Sequence, residues 1–199
     1  LKTFNVNFSK PKNLSKDIAK SVKNGFIVGI FQGKAEYGPR SLGSRSILAD
    51  PRKKISKFRL NQKIKKRDWF MPFAPAVLDK NYKDFFDDEC PSLYMQKAIK
   101  VKEKFRKLIP SAVHVDGTCR VQYVDKKIFS NFWKIISEFK KITNLPMVLN
   151  TSFNRHGIST LSSPRQAIEH LLEGNIDILY LSKFKIKFTD NRIEKRKNF

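Results

Sequence analysis

Three segments of the sequence combine basic side chains with small polar residues, a pattern that suits an anionic ligand. The first is GKAEYGPRSLGSRSILADPR at 33–52, which contains three of the eight glycines and three of the eleven arginines in the chain. The second is HVDGTCR at 114–120, and the third is NTSFNRH at 150–156. Guanidinium groups bind phosphate oxygens in pairs, and glycine allows a backbone to approach a ligand closely. These residue types therefore predict a phosphate site.

Each of these segments lies next to a predicted strand. Ligands of α/β folds bind on loops at strand ends, so we expect the three loops to converge on one pocket. Arg40, Arg45 and Arg120 would supply planar, bidentate donors to that pocket. The chain lacks the GxxxxGK[ST] and GxGxxG sequences, which excludes the common phosphate-binding loops.

Two pairs of polar residues would complete such a pocket. Lys65 and Arg67 form a KxR pair near the end of a predicted helix, and Ser152 and Asn154 form an SxN pair after a predicted strand. Backbone N–H groups at the turn that contains the SxN pair are also free to point at an anion. Taken alone, the KxR pair is more typical of a solvated basic helix face, and the SxN pair also fits an ordinary turn.

The remaining polar residues of these segments have simple structural interpretations. Gly38 and Gly43 would shape a tight turn as readily as they would admit a ligand. His114 with Asp116 could form a general base with its orienting acid, but a hydrogen-bonded pair that stabilises the loop is the more common case. The residues alone therefore predict an anion-binding α/β domain and no particular reaction.

The overall charge is strongly positive, with 41 Lys and Arg residues against 18 Asp and Glu and a formal net charge of +23. Such an excess is typical of proteins that bind nucleic acid, an anionic surface or an anionic substrate. The 30 lysines outnumber the 11 arginines, and biased coding is a simpler explanation of that composition. An RNA-binding protein is the alternative from another class. The dispersed charge and the core-like spacing of the aromatic residues argue against nucleic acid.

Metal and membrane signals are absent from the sequence. Cys90 and Cys119 lack the spacing of a zinc site or of a disulfide framework, so no metal held by protein ligands is predicted. No apolar run approaches the roughly 18 residues that a membrane span needs, and no signal segment opens the chain. We therefore expect a cytoplasmic protein with no membrane partner.

The apolar patterns predict a single α/β domain, with a mixed, twisted sheet and helices packed on it. We expect this domain to span 14–182, after an amino-terminal extension at 1–13 and before a basic tail at 183–199. The predicted helices cover 14–24, 53–66, 128–143 and 163–174, and the predicted strands cover 26–31, 45–50, 73–78, 93–101, 119–124, 146–150 and 176–182.

Four segments, in order and with similar spacing, resemble the carboxy-terminal domain of the NodU/CmcH carbamoyltransferase family. They are GKAEYGPRSLGSRSILADPR, NQKIKKRDWFMPFAPAVL, HVDGTCRVQYV and LPMVLNTSFNRHG, and the similarity runs from about residue 14 to about residue 182. The resemblance implies a YrdC-like fold and a domain that makes carbamoyl adenylate from carbamoyl phosphate and ATP. It also implies a partner, because family members have a larger, metal-dependent amino-terminal domain that transfers the carbamoyl group to a hydroxyl. This chain would need such a domain or subunit.

The resemblance also implies roles for the candidate residues. In the implied reaction, a carbamoyl oxygen attacks the α-phosphorus of ATP and pyrophosphate leaves, while Mg²⁺ bridges the phosphates. Glu36 would orient one guanidinium, and the two glycines would let the backbone approach the ligand. The residues implied as catalytic are Arg40, Lys65 and Arg120, and those implied as substrate- or nucleotide-binding are Arg67, Asn150, Ser152, Asn154, Gly38, Gly43 and His114.

Three positions depart from the usual pattern of the family. Lys34 stands where an arginine is common, Met71 replaces an arginine, and Ile158 stands where a glutamate is usual. The last two departures leave open a catalytically degenerate subunit that binds nucleotide without turnover.

Overall fold

Helices and strands alternate along most of the chain, as the apolar patterns predict. The structure is a computed structural model that describes residue 4 and residues 6–68 and 70–188. Its strands are β1 (Val6–Ser9), β2 (Val28–Phe31), β3 (Arg45–Ala49), β4 (Ala74–Leu78), β5 (Ala98–Lys100), β6 (Thr118–Arg120), β7 (Gln122–Val124), β8 (Met147–Ser152), β9 (Ile178–Leu181) and β10 (Phe184–Phe188). Its helices are α1 (Leu14–Lys23), α2 (Lys54–Arg59), α3 (Tyr82–Phe85), α4 (Glu103–Arg106), α5 (Ser130–Thr143) and α6 (Pro164–Leu172), with a π-helical turn at Leu60–Lys65 and a 3₁₀ turn at Asp79–Asn81.

Most of the strands form one mixed sheet of eight, in the order β1-β10-β9-β2-β3-β8-β4-β7. β2 pairs with β9 and β4 pairs with β7 in parallel, whereas the other neighbouring strands are antiparallel. β5 and β6 form a separate two-stranded sheet. Every residue of β2, β3 and β4 is buried, so both faces of the sheet are covered there. The predicted mixed α/β architecture is confirmed.

The helices cover the sheet through apolar stripes that the sequence predicts. α5 packs on α1 and on β4 and β8, while α6 contacts β2, β9 and β10. α6 begins as predicted, because Ser163 and Gln166 form a reciprocal capping box and Pro164 is the first helical residue. The buried stripe of α5 consists of Phe132, Ile135, Ile136 and Phe139.

Three predicted elements are interrupted in the structure. The predicted helix at 53–66 changes from α2 to the π-helical turn, and it ends at Lys66, whose φ of 43° is left-handed. The predicted strand at 93–101 is reduced to β5, because Met95 has a left-handed φ of 56° that extended backbone does not allow. The predicted strand at 119–124 is divided, since β6 belongs to the small sheet and β7 to the large one.

The sheet extends beyond the limits predicted for the domain. β1 and β10 lie outside 14–182, yet they pair antiparallel, with Val6 opposite Phe188. Both strands contain exposed and half-exposed residues, so their apolar pattern is weaker than that of the central strands. The predicted extension and the predicted tail each contribute one strand, and the rest of that tail, 189–199, lies outside the described residues.

Candidate functional site

A pocket of about 280 Å³ opens where the three predicted loops meet. Among the described residues, its wall contains four Arg or Lys side chains and no Asp or Glu. Such an uncompensated positive field favours an anion. The pocket brings together seven of the residues predicted for the site, namely Arg40, Lys65, Arg67, Arg120, Asn150, Ser152 and Asn154.

Lys65 connects the KxR pair to the SxN pair. Its ammonium donates to the carbonyl and hydroxyl oxygens of Ser152, at 2.8 and 3.2 Å, and to the carbonyl and amide oxygens of Asn154, at 3.0 and 2.6 Å. The Ser152 hydroxyl in turn donates to Asn154 Oδ1 at 2.7 Å. Lys65 is only 4% exposed. Burial, and then the charge of Arg67, lower the pKa of Lys65 to about 7.

The π-helical turn positions both members of the KxR pair. After Lys65, the left-handed Lys66 turns the chain, and the backbone N–H of Arg67 donates to the carbonyl of Asn61 at 3.3 Å. Asn61 Oδ1 also accepts from Arg67 Nε at 2.8 Å, and the guanidinium lies 4.6 Å from the ring centroid of Phe73. Burial lowers the pKa of Arg67, although an arginine stays charged. The guanidinium therefore reaches the pocket from a fixed position.

Arg120 and Arg40 reach the pocket from two other loops. Arg120 is the last residue of β6, and its Nε is buried without a hydrogen-bond partner among the described residues. Burial, and then the charges of Arg40 and Arg67, lower the pKa of Arg120. Arg40 is exposed to solvent and lines the same pocket. A buried, unused donor beside other cations is an arrangement that an oxyanion would complete.

Asn150 lines the pocket from the middle of the sheet, where β8 lies between β3 and β4. The residue is 1% exposed. Its amide nitrogen donates to the Ser41 carbonyl at 2.9 Å and to Gln122 Oε1 at 2.8 Å. Its Oδ1 is buried without a partner among the described residues. Of the three such unpaired side-chain atoms in the described part of the chain, two belong to residues of this pocket.

The other three predicted residues do not line this pocket. Gly38 and Gly43 have left-handed φ values of 103° and 118°, which supports their role in shaping the loop. His114 Nδ1 lies 2.9 Å from Thr118 Oγ1, and Asp116 Oδ1 accepts from the Thr118 N–H at 2.9 Å. Burial is the main cause that lowers the pKa of His114. These contacts match the loop-stabilising interpretation, with Thr118 as the shared partner.

Arg45 and Glu36 hold the first loop together, contrary to the roles expected from the sequence. The Arg45 guanidinium stacks on Phe31, with 3.6 Å between Cζ and the ring centroid, and donates to backbone carbonyls of its own loop. The Glu36 carboxylate accepts from the backbone N–H groups of Leu42 and Ser44. The expectation that Glu36 orients a guanidinium was wrong, because the backbone amides of the loop use its oxygens.

The side chains that depart from the family pattern do not line the pocket. Met71 contributes its carbonyl, which accepts from Asn61 Nδ2 at 2.8 Å. Ile158 is 58% exposed, and its carbonyl accepts from Asn154 Nδ2. Lys34 is exposed. The departures therefore leave the four cations of the pocket in place.

The pocket also contains residues that the sequence interpretation did not assign to a ligand. His156 lies two residues beyond Asn154 in the third segment, so its position was a usable signal. Met95 enters the wall from the segment before β5, where it packs with Leu42 and Ala74. No local pattern marks that contact, because it depends on tertiary structure.

The described residues hold no group of three or more His, Cys, Asp or Glu side chains placed to bind a metal ion. None of the described helices combines the length and the apolar composition that crossing a membrane requires.

Two solved structures share this fold. Full-length HypF, in a phosphate- and nucleotide-bound form, aligns with a TM-score of 0.60 at 19% identity, over 88% of this chain and 22% of that chain. YciO of E. coli aligns with a TM-score of 0.58 at 16% identity, over 85% of this chain and 80% of that chain. At these identities the likeness shows the fold alone. The fold is the mixed α/β, YrdC-like fold that the sequence predicts, and four cationic side chains line its pocket among the described residues.

Sequence similarity then gives the family. The family model described as "Carbamoyltransferase C-terminus" matches residues 19–187, so the chain belongs to that family. Nodulation protein NolO of Bradyrhizobium diazoefficiens is 40% identical over 180 residues, which are 87% of this chain and 33% of that protein. Nodulation protein NolNO of Sinorhizobium fredii is 39% identical over 174 residues, which are 85% of this chain and 25% of that protein. This chain thus spans a quarter to a third of the length of these two relatives.

Proposed function

We propose that this domain activates a carbamoyl group by joining it to AMP, so that carbamoyl adenylate forms from carbamoyl phosphate and ATP. The observation that carries the proposal is the pocket wall, on which the described residues place Arg40, Lys65, Arg67 and Arg120 without any carboxylate. Both substrates are anions, and the family points to the carbamoyl group. The nucleotide-bound form of HypF, which shares the fold, supports a nucleotide as the second substrate.

The proposed reaction consists of two successive displacements at phosphorus. Water first cleaves carbamoyl phosphate to carbamate and orthophosphate. A carbamate oxygen then attacks the α-phosphorus of ATP, the bond to the β-phosphate oxygen breaks, and pyrophosphate leaves with that electron pair. Negative charge gathers on the oxygens around phosphorus in the second step, and preorganised cationic donors stabilise it. The reaction needs no side-chain nucleophile.

The four cations differ in how free they are to bind the reacting phosphate. Arg120 has a buried Nε without a partner among the described residues, and Arg40 is exposed, so these two guanidinium groups suit the developing charge. Arg67 is fixed by Asn61 and suits a phosphate that does not move during the reaction. The ammonium of Lys65 is engaged by four oxygen atoms, so it holds two loops together and contributes charge when the lysine is protonated.

Mg²⁺, when bound with the nucleotide, would shield the charge of the phosphates. Since the described pocket wall has no carboxylate, phosphate oxygens of the nucleotide would have to supply its anionic ligands. Transfer of the carbamoyl group to an acceptor hydroxyl is proposed for a separate amino-terminal domain or subunit, because this chain covers only part of the length of its relatives.

The test is pyrophosphate release by the purified chain with ATP, carbamoyl phosphate and Mg²⁺. We expect release only when both substrates are present, and we expect Arg120→Ala to abolish most of it. Arg165→Ala is the matched control, since Arg165 is an exposed residue of α6 that pairs with Glu169 away from the pocket. ATP binding without pyrophosphate release would support the degenerate subunit. Absence of ATP binding would overturn the proposal, and tight RNA binding that displaces ATP would favour the nucleic-acid alternative.

A further inference from the structure

We propose that the amide oxygen of Asn150 recognises the NH₂ group of the carbamoyl moiety and thereby distinguishes a carbamoyl phosphate from an acyl phosphate. This inference rests on the proposed function, because it assigns one group of the proposed substrate to one atom of the pocket.

Hydrogen bonds fix which end of the Asn150 amide is left for a ligand. The Ser41 backbone carbonyl can only accept, so the amide nitrogen must face it, at 2.9 Å. The second N–H donates to Gln122 Oε1 at 2.8 Å. Gln122 is itself oriented, because its Nε2 donates to the Leu42 carbonyl at 3.3 Å. Both N–H groups of the Asn150 amide therefore donate to protein oxygens, and Oδ1 is the atom left to accept from a ligand.

The position of Asn150 makes this remaining acceptor a rigid one. Its strand is paired on both sides, with Leu48 of β3 and Ala74 of β4 as its register partners. Asn150 is 1% exposed, and its Oδ1 has no hydrogen-bond partner among the described residues. A buried acceptor without a partner is unfavourable, and a donor on a ligand relieves it.

The chemistry of the other pocket groups points to an amide N–H as that donor. The four cations can only donate, and they match the oxygen atoms of a phosphate. The side-chain oxygens of Ser152 and Asn154 already accept from Lys65. A carbamoyl phosphate carries acceptor oxygens and one NH₂ group, so its NH₂ matches Asn150 Oδ1. In acetyl phosphate a methyl group of similar size replaces the NH₂ and offers no hydrogen bond.

Two stable analogues isolate this difference. Carbamoylphosphonate and acetylphosphonate have the same shape, differ only in NH₂ against CH₃, and carry a P–C bond that prevents transfer. Their affinities for the intact chain can be compared by isothermal titration calorimetry. We expect wild type to bind carbamoylphosphonate roughly tenfold more tightly or better, because the methyl leaves a buried acceptor unpaired.

Two variants test whether Asn150 causes the preference. Asn150→Leu removes the acceptor at similar volume, and it should bring the preference close to one while orthophosphate affinity changes by less than about threefold. Gln122→Leu alters a residue that does not line the pocket but orients the amide. It should reduce the preference partly, because the Ser41 carbonyl alone then orients the Asn150 amide.

The outcomes separate the inference from the proposed function. Equal binding of the two analogues by wild type, or an undiminished preference in Asn150→Leu, overturns the inference. Neither result contradicts the proposal that the pocket binds an anion. Failure of wild type to bind either analogue or orthophosphate overturns both. Where circular dichroism shows that Asn150→Leu is unfolded, Gln122→Leu decides, and an unchanged preference in that variant overturns the role of the oriented amide.

Discussion

The ammonium of Lys65 lies 2.6 Å from the amide oxygen of Asn154, across a separation of 89 residues in the sequence. Through this contact the end of the π-helical turn is joined to the loop that follows β8. The same ammonium also contacts Ser152, so the KxR and SxN pairs form one structural unit. A ligand that changes the charge or position of Lys65 should therefore change the contacts between the π-helical turn and the loop after β8.

The lowered pKa of Lys65 predicts that stability rises with pH. The folded state loses the proton near pH 7, whereas the unfolded lysine keeps it to about 10.5, so the unfolded state binds more protons between these values. Between pH 7 and pH 9 the free energy of unfolding of wild type should increase by about 2 kcal/mol relative to that of Lys65→Met. Urea denaturation of both proteins at both pH values measures this difference.

Other groups that titrate in this range affect both proteins alike, so the difference between them isolates Lys65. A difference that stays constant or shrinks as the pH rises would show that Lys65 remains charged in the folded state.

Ligand binding should have the opposite pH dependence. An anion beside Lys65 favours the ammonium form and raises its pKa, so ATP binds most tightly when the lysine is protonated. From pH 7 to pH 9 the affinity of wild type for ATP should fall roughly tenfold. Lys65→Arg should lose this dependence, because an arginine stays charged throughout. Calorimetric titration of the two proteins tests the prediction, and parallel pH profiles would exclude Lys65 as the titrating group.

The KxR and SxN residues could be predicted from the sequence because each pair lies within a short motif beside a strand or helix end. The structure places Lys65 and Arg67 in the same pocket as Ser152 and Asn154, because the end of the π-helical turn lies beside the end of β8. The inward orientation of Arg45 could not be predicted, since it depends on the ring of Phe31 and on carbonyls of a folded loop.

Two further features of the structure could not be predicted from the sequence. The orientation of Asn150 depends on Gln122, 28 residues away in the chain, and no spacing rule marks that pair. The fold was predicted well where apolar runs are continuous, as in β2, β3 and β4. It was incomplete at β1 and β10, because a strand with exposed polar residues has a weak apolar pattern.

The two glycines of the first loop should differ in how much stability they contribute. A Cβ at Gly43 would lie 2.6 Å from Phe132 Cγ, and its φ of 118° is one that L side chains rarely adopt. Gly43→Ala should therefore cost about 3 kcal/mol, from strain and overpacking together. Gly38 has a φ of 103° with no atom within 4 Å of an added Cβ, so Gly38→Ala should cost only about 1 kcal/mol. Urea denaturation midpoints compare them, and equal losses would mean that packing against Phe132 is unimportant.

Arg120 and Ser152 should affect different kinetic constants, because they can do different things for the reacting phosphate. Arg120 offers a guanidinium whose buried Nε has no hydrogen-bond partner among the described residues, so Arg120→Ala should lower the turnover of pyrophosphate release by roughly 100-fold and change ATP affinity much less. Ser152 contributes one neutral hydroxyl, already bonded to Lys65 and Asn154, so Ser152→Ala should cost about 1 kcal/mol, mainly in ATP affinity. Single-turnover rates at saturating ATP, with calorimetric affinities and Arg165→Ala as control, separate these effects. Equal losses in turnover for Arg120→Ala and Ser152→Ala, or no loss in either, would mean that both residues only shape the fold and that the pocket does not catalyse carbamoyl activation.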